Sequence, residues 1–387
     1  LFNPLPPGLL DERNQFFYKI VQFQSAIMPI AAESQTNHPS APKLDVPGTA
    51  RSPKSRRIPA LDFTKGALVL IMVLYHWLNY FSGMPFAYYR YLRFLTPSFI
   101  FITGFMISNV YLSRYAAADP RLSKRLFTRG LKLMAIFLVL NLSRIFVIPL
   151  LGTGFLVQNP LDLGNIFAVF VSGNLPAAGG KLVSFSILVP ISYLLMFSGA
   201  LMLPYRLYRY TFHLVSVLLL LSILVLGLTG ARSYSLEFIT IGMLGVVTGF
   251  TPIEAVNDFV RHPYALALAY MGYAIAITIW DTPFLLLTVG VFLSLTVIYL
   301  VGASGSESGT TRSEAILLGK YSLFGYISQV AMLQILSAGF RRVNLGLTAL
   351  AVSFLAAFAL TIVSVEVVDR TRARVASVDR LYKTVFA

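Results

Sequence analysis

Residues 58–81 read IPALDFTKGALVLIMVLYHWLNYF. Ala67 to Leu74 carry neither charge nor hydrogen-bonding side chain, and the apolar block around them approaches the ~20 residues that carry a helix across a bilayer core. A segment in lipid must satisfy its own backbone hydrogen bonds, so a block of this length is a helix. The same reading extends outward to nine further segments, at 94–112, 127–149, 182–203, 211–229, 235–251, 263–280, 283–302, 315–337 and 343–367. The sixth segment of the series is short and glycine-rich, and 161–173 reads as an extra interfacial or re-entrant piece. The chain is therefore expected to be all-α, a polytopic membrane bundle of about ten transmembrane helices.

Composition agrees. Hydrophobic residues make up 56% of the 387 and charged residues 12%, about half the ~25% of a soluble domain. A net charge of +15 would suggest nucleic acid on a soluble protein. Here the basic residues gather in alternate loops, so membrane lipids are the expected partner and nucleic acid is not. The absence of Cys excludes disulfides, thiolate metal sites and cysteine nucleophiles. Residues 1–58 are Pro- and Ser-rich without a lasting period and read as a disordered tail, with an amphipathic stretch at Phe16–Ile30 and no signal-peptide pattern. Residues 303–313 read as a flexible connector and 369–387 as a basic tail.

Charge also sets the expected orientation. With the N-terminus inside, the inner loops hold Arg114, Arg121, Lys124 and Arg125, then Arg206 and Arg209, then Arg261, then Arg312, and the tail adds five more basic residues. The opposite loops are poorer in Lys and Arg. Ten spans with both ends cytoplasmic satisfy this bias, whereas an odd number would put the basic tail outside.

Polar residues inside a bilayer are costly and therefore informative. The first span holds Asp62, Lys65, His76 and Asn79. Lys65 and His76 are eleven residues apart, which places them within ~20° of each other around a helix and ~16 Å apart along it. Asp62, one turn before Lys65, can pair with it. These three share a stripe with Val69 and Met72. Lys65 alone would be satisfied by snorkelling to headgroups. A histidine at the depth of His76 points instead to proton chemistry.

The stretch RIPALDFTKGALVLIMVLYH (57–76) resembles the opening signature of the acyltransferase-3 family and of the related heparan-α-glucosaminide N-acetyltransferase-like membrane enzymes. That signature is an Arg, Leu-Asp, Arg-Gly, and a His eleven residues after the second Arg. Arg57, Leu61, Asp62, Gly66 and His76 match, and Lys65 replaces the second Arg. LTPSFIFITGFMIS (95–108), RLFTRGLKL (125–133) and LGKYSLFGYISQ (318–329) are similar to three later patches. Gln329 stands where many relatives carry a second His.

The resemblance implies a transferase in an inner bacterial membrane. It would move an acyl group from cytoplasmic acyl-CoA, most simply acetyl-CoA, to a carbohydrate or lipid-linked acceptor at the far face, with no metal. A homo-oligomer is compatible with it. On this reading Lys65, Arg125, Arg129 and Lys132 grip the donor, and His76 is the general base or accepts the acyl group transiently. Asp62 holds Lys65, and Asn141 or Arg144, at about the depth of His76, stabilises the oxyanion or orients the acceptor. Asn79 and Tyr80 line the acceptor's path. Snorkelling of Arg144 and an interfacial belt at Asn79 and Tyr80 are the plainer alternatives. Glu366 is expected to pair with a basic loop residue. Two other functions stay open: a secondary transporter of a small polar or anionic solute lined by Lys65, His76 and Arg144, and a non-catalytic lipid- or partner-binding protein.

Overall fold

The computed structural model describes residues 58–82, 86–112, 120–150, 163–172, 184–230, 232–260, 262–280, 283–304, 309–340 and 346–386. The proposed N-terminal tail lies outside them. Every regular element among the described residues is helical.

Helix α1 (Pro59–Trp77) opens with Pro at its first turn, where a missing N–H costs nothing. After Trp77 the helix loosens into a π-helical stretch, Leu78–Ser82. A 3₁₀ turn (Phe86–Leu92) leads to α2 (Leu95–Met106), which also ends in a π-helical stretch, Ile107–Leu112. Then come α3 (Pro120–Leu150), α4 (Leu163–Ser172), α5 (Leu188–Leu207), α6 (Thr211–Leu228), α7 (Tyr234–Thr248), α8 (Ile253–Val260), α9 (Pro263–Ile279) and α10 (Phe284–Ser304). The chain closes with α11 (Thr310–Lys320), α12 (Ser322–Phe340), α13 (Gly346–Arg374) and α14 (Ala376–Phe386).

All ten expected segments are helical, but they are not ten equal spans. Seven described helices are long and apolar enough to cross a membrane. The helices α7 and α9 are apolar but shorter. The expected single span at 315–337 is instead two helices, α11 and α12, bent by 96° at Tyr321. Only Lys320 and Ser322 interrupt its apolar residues at the bend, so hydropathy averaged over a span does not reveal it. Two other expectations are corrected. Arg312, placed in a flexible connector, belongs to α11 and donates a 2.9 Å hydrogen bond to the Gly302 carbonyl. Glu366 pairs with Arg370 one turn along its own helix, at 2.6 Å, rather than with a loop. The basic tail is helical too: α13 runs to Arg374 and α14 follows.

The helix bearing the ionisable stripe is the hub of the bundle. It packs against α2, α10, α11, α12 and α13, and Leu68, Val69, Met72 and Val73 are almost wholly buried. Its tightest neighbour is α11, through glycine. A methyl group on Gly66 would overlap the Ala315 carbonyl oxygen, and one on Gly319 would overlap the Asp62 carbonyl oxygen. Small residues let two helices approach this closely in the absence of a hydrophobic driving force. The α2–α7 contact repeats the device, with Gly104 on the Gly242 carbonyl and Gly245 on that of Phe101. By contrast, α6 and α9 leave Leu214, Leu218, Leu221, Leu268 and Met271 exposed, as side chains against lipid would be.

Candidate functional site

At the end of the bundle where α1 begins, helices α1, α2, α3, α5, α11, α12 and α14 enclose a cavity of about 320 Å³. Four cationic side chains reach its wall: Lys65 from α1, Arg129 and Lys132 from α3, and Lys320 from the end of α11. Of the donor residues expected from the sequence, three are thus brought together from two distant segments. The fourth, Arg125, is exposed and does not line the cavity. Its guanidinium lies 5.9 Å from the centre of the Tyr111 ring, and that of Arg129 lies 5.6 Å from the same ring. Tyr111 is itself a wall residue.

These cations differ in what balances them. Lys65 Nζ lies 2.5 Å from Asp62 Oδ1, an i,i+3 pair with both side chains largely buried. Lys320 pairs with Asp369 at 2.8 Å. Arg129 and Lys132 have no carboxylate partner among the described residues. The bend at Tyr321 adds further polarity, since Ser322 and Leu323, the first turn of α12, line the cavity. The opening N–H groups of a helix have no intrahelical acceptor and favour an anion.

The C-terminal helix forms part of the wall through Tyr382, Val385 and Phe386. It is held there by a chain of polar contacts. Asp369 accepts a hydrogen bond from the Tyr321 hydroxyl at 2.5 Å, and Arg372 donates to that hydroxyl at 3.0 Å. Arg372 also donates twice to Asp379, at 3.0 and 2.6 Å, and stacks 4.0 Å from the centre of the Tyr382 ring. Lys383 completes the set 2.5 Å from Asp379. Hydrogen bonds from Lys383 and Arg372 hold the Asp379 carboxyl below the usual range. Burial pushes the Tyr382 hydroxyl up to about 12, so it stays a neutral donor at physiological pH.

Deeper in the bundle the cavity ends at Tyr326, whose ring centre is 6.5 Å from that of His76. The imidazole Nε2 of His76 is buried and without a hydrogen-bond partner, as are both polar atoms of the Gln329 amide one turn beyond Tyr326. A buried polar atom left unsatisfied costs ~1–3 kcal/mol. Three such atoms on packed helices α1 and α12 mark a place where a polar ligand group or water completes the structure.

The ring of Tyr75, the residue before His76, lies 5.3 Å from the imidazole. Tyr75 lines a second, larger cavity of about 880 Å³ between the 3₁₀ turn, α2, the end of α6, the start of α7 and the start of α10. The first cavity belongs to the beginning of α1 and this one to its end. Nothing in the sequence pointed to it, because its walls are the ends of helices that neither share a motif nor lie near one another in the chain.

The residues assigned to the acceptor fall elsewhere. Asn79 is exposed and lines neither cavity. The Tyr80 hydroxyl receives a 3.2 Å hydrogen bond from Gln334 and packs in the α1–α12–α13 cluster. The Asn141 amide donates to the Phe137 and Ser184 carbonyls at 2.9 and 3.0 Å, fastening the turn before α5 to α3. In that turn Phe185 adopts φ 61°, a left-handed conformation that costs a non-glycine residue of order 1–3 kcal/mol. Its ring lies 5.9 Å from Tyr326, so Asn141 bears on the site through the turn it secures. Arg144 lies on α3, and its side chain is outside the described residues. No protein-family model matches the chain, and no curated protein or solved structure matches it either.

Proposed function

We propose that the protein is a membrane acyltransferase that takes its acyl group from cytoplasmic acyl-CoA. The observation that carries this reading is the single cavity that collects Lys65, Arg129, Lys132 and Lys320 and ends at Tyr326, beside His76 with its buried, unpartnered Nε2. A donor with phosphates at one end and a thioester at the other fits that polarity. The phosphates would sit at the cationic wall and the first turn of α12, with Arg125 at the rim. The 320 Å³ interior suits a pantetheine arm and a short acyl group, leaving the nucleotide at the mouth. Lys65, held by Asp62, lies ~16 Å along the helix from His76, a distance an extended pantetheine chain can cover.

His76 Nε2 would take the proton from the acceptor hydroxyl or amine as that oxygen or nitrogen attacks the thioester carbonyl. The C–S bond breaks, CoA leaves as the thiol, and the proton passes from His76 to the departing sulfur. A neutral imidazole nitrogen suits the task because it can accept the acceptor's proton and return it to the leaving group.

The same geometry supports an even number of crossings with both ends on one side. Lys65, near the start of α1, and Tyr382, in the last helix, line one cavity. Seven crossings would separate them. The seven long helices with the bent pair make eight, and the two shorter apolar helices make ten. The excess of Lys and Arg in the loops on that side assigns it to the cytoplasm. The expected membrane remains a bacterial inner one, on the resemblance alone.

The bend at Tyr321 favours a second reading. Discontinuous helices at a binding site are a feature of secondary transporters, and an anionic solute could occupy the cationic cavity. The test is direct. Purified protein is incubated with acyl-CoA and free thiol release is followed, with and without His76→Gln. Slow thioester cleavage that vanishes in the variant is expected of a transferase. Binding of acyl-CoA without any cleavage by the intact protein would favour the transporter.

A further inference from the structure

Two glutamines lie on α12, and they are used differently. Gln334 donates a 3.2 Å hydrogen bond to the Tyr80 hydroxyl and ties α12 to the residues after α1. Gln329 is wholly buried, and neither its Oε1 nor its Nε2 has a partner. Other polar side chains of α12 and α13 are engaged: Ser364 donates to Ser328 at 3.2 Å, and Thr361 to the Ala357 carbonyl at 2.7 Å.

Gln329 faces α1. It belongs to the row Gly325, Gln329, Leu333, spaced by four and so along one side of the helix. A Cβ built on Gly325 would lie 3.4 Å from Val69, and Leu333 packs in one cluster with Val73. The amide sits in the seam between those two contacts. On α1, His76 follows Val69 by seven residues and lies within ~20° of it around the helix, so the imidazole points into the same seam. Its Nε2 is buried and unpartnered too, and its ring centre is 6.5 Å from that of Tyr326, one turn before Gln329.

We propose that the Gln329 amide is the oxyanion donor of the acyl transfer, a role that rests on the transferase reading above. As the acceptor attacks the thioester carbonyl, negative charge gathers on the carbonyl oxygen. An Nε2–H of Gln329 donates to that oxygen without giving up its proton, and the charge disperses again when the C–S bond breaks. Oε1 accepts the N–H of the pantetheine amide nearest the sulfur, so the donor satisfies both ends of the side chain. A donor fixed away from water needs no reorganisation as the charge develops. The Asn141 amide cannot take this part, because both its N–H groups are committed to the Phe137 and Ser184 carbonyls. Neither Gln329 nor His76 lines the cavity, and the acyl group reaches them by turning aside the Tyr326 ring that ends it. A glutamine with a purely structural role would bond across the seam, as Gln334 does.

One readout is single-turnover thiol release from acetyl-CoA by the full chain in nanodiscs. Gln329→Met removes both unpartnered atoms at similar volume, so the variant should unfold no lower than the intact chain. It should bind acetyl-CoA with nearly unchanged affinity yet release thiol ~10²–10³-fold more slowly, the loss typical of one oxyanion donor. Gln334→Met should lower the unfolding temperature and leave the rate of the folded protein unchanged. Gln329→Leu supplies a second apolar shape should Met pack poorly. The other readout needs no turnover. An isotopically labelled ketone analogue of acetyl-CoA, with a methylene in place of sulfur, cannot be cleaved, and its carbonyl stretch is followed by difference infrared spectroscopy. The band should lie lower in the intact protein than in either apolar variant of Gln329. An identical band in all three, unchanged thiol release in both variants, or no binding of the analogue would overturn the proposal. The first two of these results, with thiol released by the intact protein, would leave the transferase reading standing. A band that moves with Gln329 while the intact protein releases no thiol would instead overturn the transferase reading, reducing Gln329 to a carbonyl-binding residue.

Discussion

Gly319 of α11 rests directly on the backbone carbonyl of Asp62 in α1. The contact joins the two halves of the cationic wall, because Lys65 follows Asp62 by one turn and Lys320 follows Gly319 by one residue. Gly319→Ala should push the helices apart. Overpacking of this kind costs ~1–3 kcal/mol, and the cavity should lose donor affinity along with stability. Gly272→Ala, at a position with nothing within 4 Å, should be neutral or stabilising by up to ~1 kcal/mol. Thermal unfolding of both variants in one detergent checks the pair.

If Arg129 and Lys132 hold phosphate, their joint replacement by Gln should weaken acyl-CoA binding by ~1.5–3 kcal/mol per lost contact. The loss should shrink as salt is raised, since the native interaction is itself screened. Arg125→Gln, at an exposed position on the rim, should do less. Titration of labelled acyl-CoA at two ionic strengths separates these outcomes, and equal effects from all three positions would count against a cavity-bound donor. Lys65→Arg should be tolerated, since the resemblance puts Arg there.

His76→Ala and His76→Gln should both fold and bind acyl-CoA, and both should lose transfer by ~10²–10⁴-fold, the share general base catalysis contributes. Glutamine can supply a hydrogen bond to the unpartnered surroundings but cannot take the proton. Single-turnover assays of folded protein distinguish the roles: a merely structural histidine would let the Gln variant work while the Ala variant is destabilised.

The docking of α14 should be sensitive to acid. Asp379 has its carboxyl lowered in the folded chain by Lys383 and Arg372. The stabilisation is therefore present above the unfolded carboxylate pKa and is lost as pH falls through the folded value. Because the chain contains no Cys, a spin label on Thr384→Cys is unique. Its mobility should rise below about pH 4, the unperturbed Asp range. Asp379→Asn should raise the mobility at neutral pH, and an unchanged spectrum in that variant would detach Asp379 from the docking.

What was legible in the sequence were features carried by one helix or one continuous run. The Asp62–Lys65 pair follows from a spacing of three, and the burial of Val69 and Met72 follows from their place on the same stripe as His76. Arg129 and Lys132 were found because a basic patch preceded an apolar run. Asn79, read as lining the acceptor's path or as part of an interfacial belt, is exposed on the π-helical turn that follows Trp77, where the angle per residue departs from that of the α-helix. Lys320 and Tyr326 complete the cavity from more than 250 residues away in the chain, and no local pattern reports such a meeting. Tyr382 was hidden by composition, because α14 is basic enough to read as a solvated tail.

The rings of Tyr75 and Tyr326 lie 5.3 and 6.5 Å from that of His76, and each lines a different cavity. A protein built this way must also act as an insulator. Both chambers can admit water, and a histidine between them could relay protons down any electrochemical gradient. The aromatic rings beside it would then be the dielectric that prevents the short circuit. Tyr326→Ala should then do more than impair catalysis: in pyranine-loaded liposomes it should leak protons, and adding His76→Gln should seal it again.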